Sequence, residues 1–189
     1  MSIVPEPPSA SFKRTPPRSA EPLDGYVLSR RLIGTRIAAG FALQDSDGSR
    51  LRLAGTTTAH VVYLFPGSAT SPIHGHDTPL ADAEEHRAFR DLHERMTDLG
   101  LIVVGVSTQP EQKLTEAIAA NRLPQPLASD PTFRLGDLLR LPEFRFGADR
   151  LYDRLTMLII AGKITHIFYP VPAPGRHAEE VLAHITAWR

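Results

Sequence analysis

The apolar positions of this chain fall into short continuous runs and helical stripes. His60–Phe65 (HVVYLF) and Leu101–Ser107 (LIVVGVS) are continuous runs, which suit central strands buried on both faces. Thr156–Ile160 and Ile164–Tyr169 read as two further strands, joined as a hairpin at Ala161-Gly162-Lys163. Phe41–Leu43 and Leu51–Leu53 read as short strands around Asp47-Gly48, where glycine tolerates the positive φ of a tight turn. Leu127–Ser129 reads as a short strand end. Phe89, Leu92, Met96 and Leu99 recur at helical spacing and predict a helix over 82–98. Pro110 opens a helix to about Ala120, because a missing N–H does no harm in a first turn. Asp130-Pro131 caps a helix to about Arg140. His177–Trp188 closes the chain as an amphipathic helix, with Val181, Leu182 and Ile185 inward.

The order is therefore hairpin, strand, helix, strand, helix, short strand, helix, hairpin, helix. A helix between two buried strands implies a right-handed parallel crossover. The later hairpin adds antiparallel strands to the same sheet. The expected class is α/β, a mixed sheet with helices on both faces. The first 23 residues hold six of the 17 prolines: Pro5, Pro7, Pro8, Pro16, Pro17 and Pro22. Such a segment buries little apolar surface, so residues 1–25 are expected to be an extended or disordered tail before one domain over 26–189.

Composition narrows the chemistry. The 21 basic and 21 acidic residues balance, which leaves no basic excess for a nucleic-acid partner. No apolar run approaches the roughly 20 residues that span a bilayer, so no membrane partner is expected. The N-terminal region lacks the apolar stretch of a signal peptide, and the expected location is the cytoplasm. The sequence has no cysteine, which removes disulfides, thiolate zinc sites and redox thiols.

Six segments resemble the peroxiredoxin (AhpC/TSA, or redoxin) family, in family order, over about residues 34–188. They are Gly40–Leu53, Val61–Pro66 (VVYLFP), Ala88–Asp91 (AFRD), Leu101–Thr108, Pro126–Asp130 (PLASD) and Asp153–Val171. The resemblance implies a thioredoxin-like mixed sheet flanked by helices, opened by an N-terminal β-hairpin. It also implies a reaction site of a proline, a threonine or serine, a peroxidatic cysteine and an arginine. Pro66, Thr78 and Arg154 match the first, second and last of these. Where the family reads T-P-G-C, this chain reads Thr78-Pro79-Leu80-Ala81, one residue farther than usual from Phe89-Arg90-Asp91. The cysteine position therefore falls on Ala81 or Asp82. A second threading keeps the Pro66…Thr70 spacing and puts Ile73 there, at the cost of eight or nine extra residues before Phe89.

Neither side chain can perform the family's reaction. Peroxide reduction needs a thiolate that becomes a sulfenic acid. Alanine has no nucleophile, and a carboxylate cannot run that reversible oxidation. What remains is a pocket beside a helix start, where unpaired N–H groups and the Arg154 guanidinium favour an anion or a polar oxygen. Asp82 is either a helix cap paired with a structural Arg154, or half of a reused catalytic or binding pair. The loop residues His74 and His76, with Asp77 beside them, read as an exposed polar loop, a general base or a metal site. The catalytic candidates are Arg154, Asp82, Thr78, His76 and His74; the binding candidates are Pro66, Ala81, His86 and Tyr152. His86 and His93 are expected at the boundary of the helix stripe, His86 nearer the pocket, with Tyr152 in its wall.

The leading expectation is a small polar or anionic ligand, bound or transformed by cofactor-independent acid/base chemistry in a homodimer. No cofactor or metal is assigned. The alternatives are a non-catalytic homologue acting through protein contacts, and a metal- or haem-dependent activity using the loop histidines. An open pocket with Arg154 lacking a carboxylate partner favours the first. A fully paired Arg154 with an apolar patch outside favours the second. Metal in the purified protein, lost on changing His74 and His76 to alanine, favours the third.

Overall fold

The computed structural model describes residues 25–55, 57–67 and 78–187. The proline-rich tail, apart from Gly25, and the loop carrying His74, His76 and Asp77 lie outside the described residues. A helix absent from the sequence reading, α1 (Gly25–Leu32), opens the described chain. The hairpin β1 (Ala42–Asp45) and β2 (Arg50–Arg52) follows. The core then runs β3 (Ala59–Leu64), α2 (Thr78–Asp91), α3 (His93–Asp98), β4 (Leu101–Ser107), α4 (Glu111–Asn121), β5 (Leu127–Ser129) and α5 (Arg134–Leu139). A small hairpin of β6 (Glu143–Phe146) and β7 (Asp149–Tyr152), also unpredicted, precedes β8 (Leu155–Ile160), β9 (Lys163–Phe168) and α6 (Pro174–Ala187).

The main sheet has the order β2-β1-β5-β4-β3-β8-β9. β3 pairs β4 in parallel and β8 antiparallel, as the continuous apolar runs require of central strands. Side chains alternate across such a strand. Val62 and Leu64 face one layer with Leu28 and Leu32 of α1 and Leu135 and Leu139 of α5. Val61 and Tyr63 face the other, with Phe89, Met96, Leu114 and Val181 from α2, α3, α4 and α6. The result is a mixed sheet with helices on both faces.

The expected single helix over 82–98 is two helices starting earlier. α2 begins at Thr78, and Pro79 fits its first turn because no N–H is missed there. Leu92, at φ −106° and ψ 5°, leaves helical geometry and separates α2 from α3. Asp82 therefore lies in the second turn of α2 and does not cap its start.

Candidate functional site

Arg154 stands immediately before β8 and projects onto the α2 face. Its Nη2 donates to Asp82 Oδ1 at 2.6 Å, and its Nη1 donates to Glu85 Oε2. Asp82 and Glu85 share one face of α2 because they are three positions apart. All three residues are buried. The second Asp82 oxygen accepts the Gly67 N–H at 3.0 Å. Gly67 has φ +68°, and an added Cβ would lie 2.5 Å from Ser107 Oγ, so the position admits glycine alone.

Two carboxylates share one guanidinium here, so full ionisation leaves a buried net charge of −1. Burial, with Asp82 adding to it, pushes the Glu85 carboxyl up to about 7 against the pull of Arg154. Burial alone would lower the Arg154 pKa, but the Glu85 and Asp82 charges outweigh it and raise it.

Beside this network the next residue of α2, His86, is buried and forms a second polar cluster. Its Nδ1 lies 3.1 Å from Tyr63 Oη. Gln125 Nε2 donates to Tyr63 Oη at 3.5 Å and to the His86 carbonyl at 3.3 Å. Burial, reinforced by Arg154, holds the His86 pKa down at about 3, so the ring is neutral at ordinary pH. Gly105, opposite Tyr63 in the sheet, makes room for the phenol: a Cβ there would fall 2.7 Å from Tyr63 Oη.

A cleft of about 390 Å³ opens between α2 and α4. Phe65, Ala83, Ala117 and Ala120 give it apolar walls, while Asp82 and His86 bring the two clusters to its edge. Its size suits a small molecule.

The sequence candidates separate on this frame. Asp82 and Arg154 meet directly, and His86 lines the adjoining cleft. Between the two candidates for the cysteine position, Asp82 contacts Arg154, while Ala81 is half-buried and takes no part in the ion network. Pro66 is buried, and its carbonyl accepts from Ser107 Oγ at 3.3 Å. Thr78 begins α2. His86 is a core residue, not a boundary one. Tyr152 is not in the cleft wall. Its hydroxyl donates to Asp130 Oδ2 at 2.5 Å and accepts from Gly136 N, and its ring stacks on Phe133. It thereby braces the start of α5, where Asp130 also accepts from Arg134 N and Leu135 N.

Glu85, Tyr63, Gln125 and Gly67 were not anticipated. Glu85 and His86 carried a legible signal. With Asp82 and Phe89 they fall on the core-facing side of α2, where a soluble helix normally places apolar residues. Among the described residues no group of three metal-ligating side chains converges, and no helix is long and apolar enough to cross a membrane.

The AhpC/TSA family profile matches residues 34–167. Two proteins of Mycobacterium tuberculosis strains that carry a peroxiredoxin name are each 30% identical over 151 residues, covering 75% of this chain and 88% of theirs. The crystal structure of peroxidoxin BcpB from Mycobacterium tuberculosis superposes with a TM-score of 0.68 at 23% identity, covering 84% of this chain and 98% of that one. A mutant of PrxQ from Xylella fastidiosa gives 0.70 at 23% identity, covering 82% and 96%. These two structural likenesses speak to the fold alone.

Proposed function

The chain belongs to the AhpC/TSA family, and on that premise we propose that it is a non-thiol member that binds a small uncharged molecule beside the old reaction site. In this reading Asp82 occupies the seat of the family's nucleophile. One observation carries it: a cleft of about 390 Å³ lined by Phe65, Ala83 and His86 adjoins that site. Arg154, the residue matching the family's thiol-activating arginine, is itself gripped by Asp82 and Glu85. A guanidinium held by two carboxylates has its charge neutralised, so it neither activates a nucleophile nor attracts an anion. The expectation of an anionic ligand at Arg154 therefore gives way to an uncharged ligand in the cleft between α2 and α4.

Titration with a set of neutral aromatic fragments, followed by NMR, tests this. Binding should perturb Phe65, Ala83 and Ala117, and Ala120→Trp should abolish it by filling the cleft. Fragments that settle elsewhere would count against the reading. So would hydroperoxide turnover by the wild-type chain.

A paired Arg154 is what the second reading expects, a homologue acting only through protein contacts. That reading predicts no fragment in the cleft and no effect of Ala120→Trp beyond stability.

A further inference from the structure

The polar cluster around His86 has a direction, set by which atoms can only accept. The His86 carbonyl accepts and never donates, so the atom of Gln125 facing it must be the amide nitrogen. The same nitrogen faces Tyr63 Oη, which therefore accepts from it. The phenol proton then has one acceptor within reach, His86 Nδ1. An imidazole that accepts at Nδ1 and stays neutral carries its proton on Nε2. The opposite tautomer would aim two donors at Tyr63 Oη and leave a fully buried phenol O–H with nowhere to donate, a loss of the kind that costs about 1–3 kcal/mol. Gly105 keeps the phenol where this ordering holds.

We infer that Tyr63 and Gln125 lock His86 as an Nε2–H donor to the cleft, which therefore selects an uncharged ligand bearing an acceptor oxygen, such as a carbonyl compound. His86 makes no other ring hydrogen bond among the described residues, and it lines the cleft next to Phe65 and Ala83. The surrounding walls take the apolar body of such a molecule. The charged side chains of the lining are already paired, Lys113 with Glu116 at 2.9 Å and Asp82 with Arg154 at 2.6 Å, so neither a cation nor an anion meets an uncompensated counter-charge there. His86 is thus a specificity-determining residue and not a base, because the nitrogen that could take a proton is already occupied by Tyr63. The ligand class rests on the small-molecule reading above; the tautomer does not.

Long-range proton–nitrogen NMR of the His86 ring at neutral pH tests the lock in the full chain. The expected result is a protonated Nε2 and a pyridine-type Nδ1. Tyr63→Phe should release the lock and give a mixture of tautomers; the wild-type spectrum decides the matter if that variant does not fold. Benzamide, a neutral carbonyl probe, should shift the Nε2–H resonance, whereas benzylamine, a cation without an acceptor oxygen, should not. His86→Phe keeps an aromatic ring but removes the donor, and should weaken benzamide about tenfold, the worth of one hydrogen bond. A proton on Nδ1 in the wild type would overturn the lock. A correct tautomer with no benzamide response, or with tighter binding of benzylamine, would overturn the ligand class. Hydroperoxide turnover would defeat the functional reading and still leave the tautomer result standing.

Discussion

Four residues apart on the chain, Arg150 and Arg154 each grip two carboxylates. Arg150 Nη2 and Nε contact Asp137 and Glu143 at 2.8 and 2.6 Å, and Arg154 contacts Asp82 and Glu85. The groups are alike and the surroundings are not. Side-chain exposure is 33% for Arg150, 60% for Asp137 and 33% for Glu143. It is 10% for Arg154, 8% for Asp82 and 0% for Glu85. Water screens the first set, and long side chains lose freedom to form it, so its net worth is small. Arg150 also lies 4.1 Å above the Phe133 ring, which packing alone can reward. The second set has given up its hydration and depends on its own partners. The same constellation is a surface brace in one place and a charge-balanced plug in the other.

The largest expected effect follows directly. Arg154→Met leaves two carboxylates buried without a cation and should cost about 3–5 kcal/mol in urea denaturation. Arg150→Met should shift the midpoint only slightly. Equal losses would remove the distinction between the two sites.

A smaller effect separates them by pH. Glu85 binds its proton up to about pH 7 in the folded state and up to 4.5 when unfolded. The folded state therefore holds the extra proton between those values, and stability from this group falls as pH rises through them. His86 acts in the opposite sense, with about 3 folded against 6.5 unfolded, so its contribution rises with pH over that range. The two slopes offset each other where they overlap. Glu85→Gln removes one of them. The stability of this variant relative to wild type should rise by about 1.4 kcal/mol per pH unit between about pH 4.5 and about 7, and stay level outside that window. A level difference throughout would mean that Glu85 is ionised at all those pH values.

The smallest effect is that of salt. Raising ionic strength to about 1 M shortens the screening length to about 3 Å. The penalty of Arg150→Met should shrink further in denaturation series, while that of Arg154→Met should hardly change.

The central strands were legible because a buried strand is written as an unbroken apolar run, as in Val61–Phe65 and Leu101–Val106. The β8–β9 hairpin was legible at Gly162, whose φ is +74°. The hairpin of β6 and β7 was not, because Glu143, Arg145, Asp149 and Arg150 dilute its alternation. Helix α1 was hidden by its proline-rich approach. Within the site, Arg154 and Asp82 could be named from local motifs, but their bond spans 72 positions and needed the fold. The carboxylate of Glu85 completes the network, and its only trace in the sequence was polarity on a core-facing stripe. Tyr63 and Gln125 read as ordinary strand and loop residues, since their roles arise only when β3 and the segment before β5 converge on His86.

The seat assignment is tested most directly by giving the chain a thiol. Asp82→Cys should place sulfur beside the Arg154 guanidinium, now held by Glu85 alone, and hydrogen peroxide should then yield a trappable sulfenic acid. Ala81→Cys, at a half-buried position outside the ion network, should form sulfenic acid more slowly than Asp82→Cys. Faster sulfenic acid formation in Ala81→Cys than in Asp82→Cys would contradict the account.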